Sequence, residues 1–128
     1  MQVPAFLLRR LYVKGSLHND GGGFAFALKN SLGSGYAEQV LPLSIDDAEI
    51  PATDAVFEVD GEAVRFADVS SERPLTLAMN KAVTVRVSGR TLEPGKHKIA
   101  IGFVVTGMGK MQFDVTDALG DAVAAHDG

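Results

Sequence analysis

The chain has 128 residues, a net charge of −4, 46% hydrophobic and 22% charged residues, no cysteine and no tryptophan. That balance suits one domain with one core, and it excludes disulfides, thiolate chemistry and cysteine-built zinc sites. It also lacks the basic footprint of a nucleic-acid binder, and two tyrosines offer little surface for stacking sugars or bases.

The start, "MQVPAFLLRRLYV", is an apolar run broken by Arg9 and Arg10. It has neither the order of a signal peptide nor the roughly 20 apolar residues of a membrane span. It is read as an edge strand or as an arm that docks on a partner. "LLRRLYVKGSLHN" is expected to form a first long strand, with a break at Gly15. Asn19–Gly23 is a turn. In "FAFALKNSL", Phe24, Phe26 and Leu28 alternate onto one face, the period of a half-buried strand. "QVLPLSI" is a third strand, in which Pro42 marks a sheet edge or a bulge.

Two hairpin tips follow. Asp60-Gly61 is a favoured pair for a two-residue turn in which both central residues take positive φ. Asp46-Asp47 is a looser version of the same signal. One helical turn is expected near Phe66. Two strands then follow, Leu75/Leu77/Met79 and Val83/Val85/Val87, and a later strand alternates Ile99, Ile101 and Phe103. "TGMGK" is a tight turn. Met111, Phe113 and Val115 face one way on the last strand.

These signals predict an all-β protein: an antiparallel, immunoglobulin-like β-sandwich of about eight or nine strands with little helix. A closed barrel is the alternative. One domain is expected over residues 1–120, with a frayed tail over 121–128.

The carboxylates Asp46, Asp47, Glu49, Asp60 and Glu62 raise the question of a calcium loop. Their order lacks the alternating ligands and central glycine of such a loop, so they are read as solvated turn residues. Neither "DGGGF" nor "SLGSG" has the order of a phosphate loop, and "GMGK" is a hairpin turn. Serines lack the setting of a hydrolase nucleophile. The histidines, 18, 97 and 126, lack the spacing of a metal pair or a catalytic dyad. His97 ends "LEPGKH", a corner in which Pro94-Gly95 makes a type II turn. In sandwich domains an aromatic at that place ties a corner together. His97 is therefore a structural or a ligand-binding residue. Tyr36 is the second candidate binding residue. No catalytic residue, metal site or cofactor is assigned.

The stretches "KGSLHN" and "GFAFALKN" within Lys14–Asn30, "LPLSIDDAEIP", "VFEVDGEAVRFADV" and "LEPGKHKIAIGF" together resemble the small β subunit of bacterial C-glycoside deglycosidases. The resemblance implies an all-β accessory subunit that assembles with a larger α subunit. That subunit would be similar to sugar isomerases, with a barrel and a divalent metal, and would carry the main catalytic groups. The segment "TGMGKMQFDVTDAL" departs from what the resemblance leads one to expect near the C-terminus.

The leading expectation is thus a non-catalytic interaction subunit, with a protein partner, a homo-oligomer or both, and with no nucleic acid or membrane. A carbohydrate- or small-molecule-binding sandwich is the second reading. A small enzyme using His97 with Asp114 or Glu93 is the third. The cysteine-free composition suits the cytoplasm.

Overall fold

The computed structural model describes residues 3–120. The expected frayed tail, 121–128, lies outside the described residues. Eleven strands form two antiparallel sheets: β1 (His18–Asp20), β2 (Gly23–Lys29), β3 (Gly35–Val40), β4 (Leu43–Ile45), β5 (Ala48–Ile50), β6 (Ala55–Val59), β7 (Glu62–Arg65), β8 (Leu75–Leu77), β9 (Ala82–Val87), β10 (Lys96–Val105) and β11 (Gly109–Ala118). The first sheet runs β1-β2-β9-β6-β7. The second is organised around β10. Along one edge β10 pairs with β11 over its full length, and along the other with β4 and then β3. The all-β sandwich read from alternation is what the chain forms.

Alternation works because a strand sends successive side chains to opposite faces. On β9, Val83, Val85 and Val87 are buried, and on β10 so are Ile99, Ile101, Phe103 and Val105. These residues meet Phe24, Phe26 and Phe57 of the facing sheet in one core cluster. Phe57 stacks on Phe66 with ring centroids 4.2 Å apart and lies tilted 6.1 Å from Phe103. Phe66 opens a single 3₁₀ turn, Phe66–Asp68, where one helical turn was expected.

The N-terminal segment departs from the strand reading. Ala5–Leu8 is a short helix (α1) and Arg9–Leu11 a 3₁₀ turn. Tyr12 keeps only an isolated bridge to Leu28. The reason lies in the spacing: Leu7, Leu8 and Leu11 fall on one face of a helix, not of a strand. Pro4 precedes the first turn, where a missing N–H costs nothing. Leu8 is buried, while Leu11 packs against the core. The Arg9 Nε donates to the Asp114 carbonyl at 2.8 Å, so the segment is fastened to β11 of its own chain.

Pro42 sits where the sequence places a bulge. Val40 faces Phe103 and Ser44 faces Ala100, so the stretch through Pro42, between β3 and β4, carries one extra residue against β10. Leu41, beside it, still donates its N–H to the Gly102 carbonyl at 2.9 Å.

Candidate functional site

The acidic tips are turns. Asp60 and Gly61 take φ of 54° and 83°, and Asp46 and Asp47 take 52° and 69°. Two consecutive non-glycine residues in the left-handed region are costly, though Asp tolerates it best. Here the cost is offset by contacts to β10. Asp46 Oδ1 accepts the Lys98 N–H at 2.8 Å, Asp46 Oδ2 lies 2.6 Å from His97 Nδ1, and Lys98 Nζ lies 2.8 Å from Asp47. Asp60 is held by Lys81 Nζ at 2.9 Å and 3.1 Å. Glu49 and Glu62 are exposed. Among the described residues no three His, Asp or Glu side chains converge as metal ligands would.

His97 is one half of that clamp. Its Nδ1 faces Asp46, and its Nε2 lies 2.7 Å from the Glu93 carbonyl across the Pro-Gly corner. Two acceptors on one ring favour the imidazolium, in which both nitrogens donate. Asp46 and then the Glu93 carbonyl raise the pKa of His97 against a smaller opposing effect of burial. His97 and then the Lys98 N–H lower that of Asp46.

The sign follows for stability. The raised histidine contributes fully below its unfolded pKa of about 6.5, and the contribution is lost as pH rises through the folded value. The lowered carboxylate contributes above about 3.8, and its share is lost as pH falls through its folded value. The stability gap between wild type and His97→Gln is therefore expected to be widest between about pH 4 and 6.5. About 1 kcal/mol is expected there, modest because Asp46 is largely exposed. Denaturant unfolding from pH 4 to 9 measures it, and a gap that does not narrow at high pH would contradict the ion-pair account.

A second polar pair fastens the N-terminal segment. Asp117 is buried, accepts the Tyr12 hydroxyl at 2.5 Å and the Gly15 N–H at 2.9 Å, and Tyr12 lies against Phe26. Burial, then the Asp117 carboxylate, raises the Tyr12 pKa, so the phenol stays protonated as a donor. Every group in this pair and in the His97 clamp has its partner within the fold.

Tyr36 lies on β3 with 55% of its surface exposed, beside the end of β10, where its carbonyl accepts the Thr106 N–H. His97 stands near the start of β10. Nine residues at about 3.4 Å each separate the two ends, roughly 30 Å. The two sequence candidates are not brought together.

An apolar concavity lies elsewhere, at one end of the sandwich between the sheets. It has a volume of about 310 Å³, within the range of small-molecule pockets. From the first sheet Leu28, Phe57 and Val83 line it, and from the second Leu77, Phe103, Val105 and Phe113. Leu7 and Leu11 close one side. Leu32 and Met108, 37% and 39% exposed, are large apolar side chains at its mouth. Among the described residues the only charged ones in the lining are Lys29 and Lys81.

Small residues keep this end open. Gly33, Ser34, Gly35 and Ala78 are part of the lining. A Cβ on Gly35 would stand 3.2 Å from Val105 Cγ1. Asn30 knots the rim: its amide donates to the Gly33 and Leu77 carbonyls, and its oxygen accepts the Leu32 and Gly33 N–H groups. The sequence stretches that build this mouth are "SLGSG" and "GMGK", read above only as a non-phosphate loop and a hairpin. The usable signal was their content: small residues beside Leu32, and two methionines, 108 and 111, on one hairpin. Neither Tyr36 nor His97 contributes to the lining.

A family model described as "Hydroxymethylglutaryl-CoA reductase, N-terminal domain" matches residues 7–120. No curated protein matches the chain. The family match overturns the resemblance to the C-glycoside deglycosidase small subunit. The motifs behind that resemblance are the Asp46-Asp47 and Asp60-Gly61 tips and the Pro94-Gly95 corner. They are turn chemistry that antiparallel sandwiches need whatever their family. The sugar-isomerase-like partner was implied by that resemblance alone and falls with it.

Proposed function

Because the chain belongs to the hydroxymethylglutaryl-CoA reductase N-terminal domain family, we propose that it is a non-catalytic accessory domain that binds an apolar group in the cavity at the end of its sandwich. The cavity carries this reading. It is concave, reaches the core at Phe57 and Phe103, and among the described residues its lining is apolar apart from a few polar side chains and two lysines. An apolar hollow of this kind binds apolar ligands, because water inside it finds too few partners. The family description, an N-terminal domain of an enzyme, supports an accessory role beside a larger catalytic unit. The side chains with displaced pKa values in the two polar pairs, His97, Asp46 and Tyr12, are bonded within the fold and lie outside the cavity lining. Among the described residues no helix is long and apolar enough to cross a membrane, and the cysteine-free composition suits a reducing cytoplasm.

Titration with the neutral fluorescent probe N-phenyl-1-naphthylamine tests the reading. One saturable site per chain is expected. Ala78→Trp, which places an indole at the cavity wall, is expected to abolish that site while leaving the fold intact by circular dichroism. No saturable binding, or unchanged binding by the folded variant, would contradict it.

A further inference from the structure

Resting on the cavity reading above, we infer that the ligand class is an uncharged molecule with an apolar body and one hydrogen-bond acceptor at its end, the acceptor bonded by the Ser34 hydroxyl. Among the described residues the lining has four polar side chains, Lys29, Asn30, Ser34 and Lys81. Neither lysine serves the cavity. Lys29 follows the buried Leu28 at the last position of β2, so strand alternation sends its side chain to the outer face of the first sheet. Lys81 Nζ is held by both carboxylate oxygens of Asp60, at 3.1 Å and 2.9 Å. No acidic residue belongs to the lining among the described residues. A charged group drawn between the sheets would therefore lose water and find no counter-charge.

Asn30 is saturated. Its amide nitrogen donates to the Gly33 and Leu77 carbonyls, and its oxygen accepts the Leu32 and Gly33 N–H groups, which uses its full capacity. Ser34 is not. Its Oγ accepts the Met79 N–H at 3.0 Å, and no acceptor for its proton is found among the described residues. Ser34 is exposed, lies between Gly33 and Gly35 of the lining, and is bonded to the residue after Ala78 of the lining. Its hydroxyl thus stands at the rim as a donor. An oxygen at the end of an apolar molecule accepts that proton, while the body lies between the sheets against Leu28, Phe57 and Phe103.

The test uses the whole chain and displacement of N-phenyl-1-naphthylamine by probes below their aggregation limits: decanol, 2-decanone, pentylbenzene, decanoate and decyltrimethylammonium. Decanol and 2-decanone are expected to bind most tightly. Decanoate and the cation are both expected to bind at least tenfold more weakly than decanol. A charged head stays hydrated and draws the chain out by about two carbons, each worth about fourfold. None of these affinities changes with salt, because no ion pair forms. Ser34→Ala weakens decanol and 2-decanone about fivefold and leaves pentylbenzene, which has no acceptor oxygen, unchanged. The ketone can only accept, so its loss identifies Ser34 as the donor. Either ion binding as tightly as decanol would overturn the selection of an uncharged ligand. Equal weakening of 2-decanone and pentylbenzene by Ser34→Ala would show that the hydroxyl only holds the rim through Met79, and no weakening of either would remove its role; both results overturn the inference and leave the apolar cavity standing. Binding of no probe, N-phenyl-1-naphthylamine included, would remove the cavity reading and this inference with it.

Discussion

Replacing Phe57 by alanine is expected to lower the unfolding free energy by about 3–5 kcal/mol. Phe57 has no exposed surface, stacks on Phe66 and faces Phe103 from the opposite sheet. It is also part of the cavity wall. Truncation removes both the transfer free energy of the ring and the contacts that its neighbours make with it, and strands on both sides hold the backbone against collapse. Phe57 pairs with Val64 on one side and Val85 on the other, so the hole cannot close by a shift of β6. Against the 5–15 kcal/mol typical of a whole domain, such a loss is large. Urea unfolding with an unchanged slope would measure it. A loss below about 1 kcal/mol would mean that Phe57 is not the element joining the two sheets.

Gly23→Ala is expected to be of similar size, about 3 kcal/mol or more, through the backbone and not the core. A Cβ on Gly23 would lie 1.8 Å from the Val87 carbonyl oxygen and 2.9 Å from its carbon. Neither atom belongs to a flexible side chain. The start of β2 would have to leave β9, where Phe24 faces Val87, and Phe24 is among the most completely buried side chains. The neighbouring Gly22→Ala is the control: its Cβ would meet nothing within 4 Å, so a change within about 0.5 kcal/mol is expected. Equal thermal midpoints for the two variants would contradict the close approach of β2 and β9.

The fold was legible where periodicity and turn chemistry agree. Val83/Val85/Val87 and Ile99/Ile101/Phe103 alternate without interruption, and each buried set is the one that alternation picks out. Asp60-Gly61 and Asp46-Asp47 are both left-handed tips. Pro42 marks an extra residue opposite β10. The N-terminal segment was misread because it is short and apolar, and a four-residue helix such as Ala5–Leu8 draws its stability from docking and not from propensity. Only the seat on the core, a tertiary fact, shows that Leu8 and Leu11 point inward.

The candidate site was less legible for a physical reason. Tyr36 and His97 stand out in a sequence because they carry polar chemistry. The structure uses His97 as a clamp on Asp46 and leaves Tyr36 exposed on β3, a strand paired with β8 and β10. The cavity instead is defined by what is missing: side chains at Gly33 and Gly35, and bulk at Ser34 and Ala78. Absent volume has no periodicity, and it becomes visible only when both sheets are in place.

The most direct test of the central claim is methyl chemical-shift mapping of the labelled full chain during titration with decanol. The cavity account predicts saturable shifts confined to methyls of the cavity lining, among them Leu28, Leu77, Val83, Val105 and Met108, with the methyls of Ile45 and Ile99 beside the His97 clamp unmoved. Shifts spread over both sheet faces, or centred on the strands around His97, would contradict it and place the binding surface elsewhere.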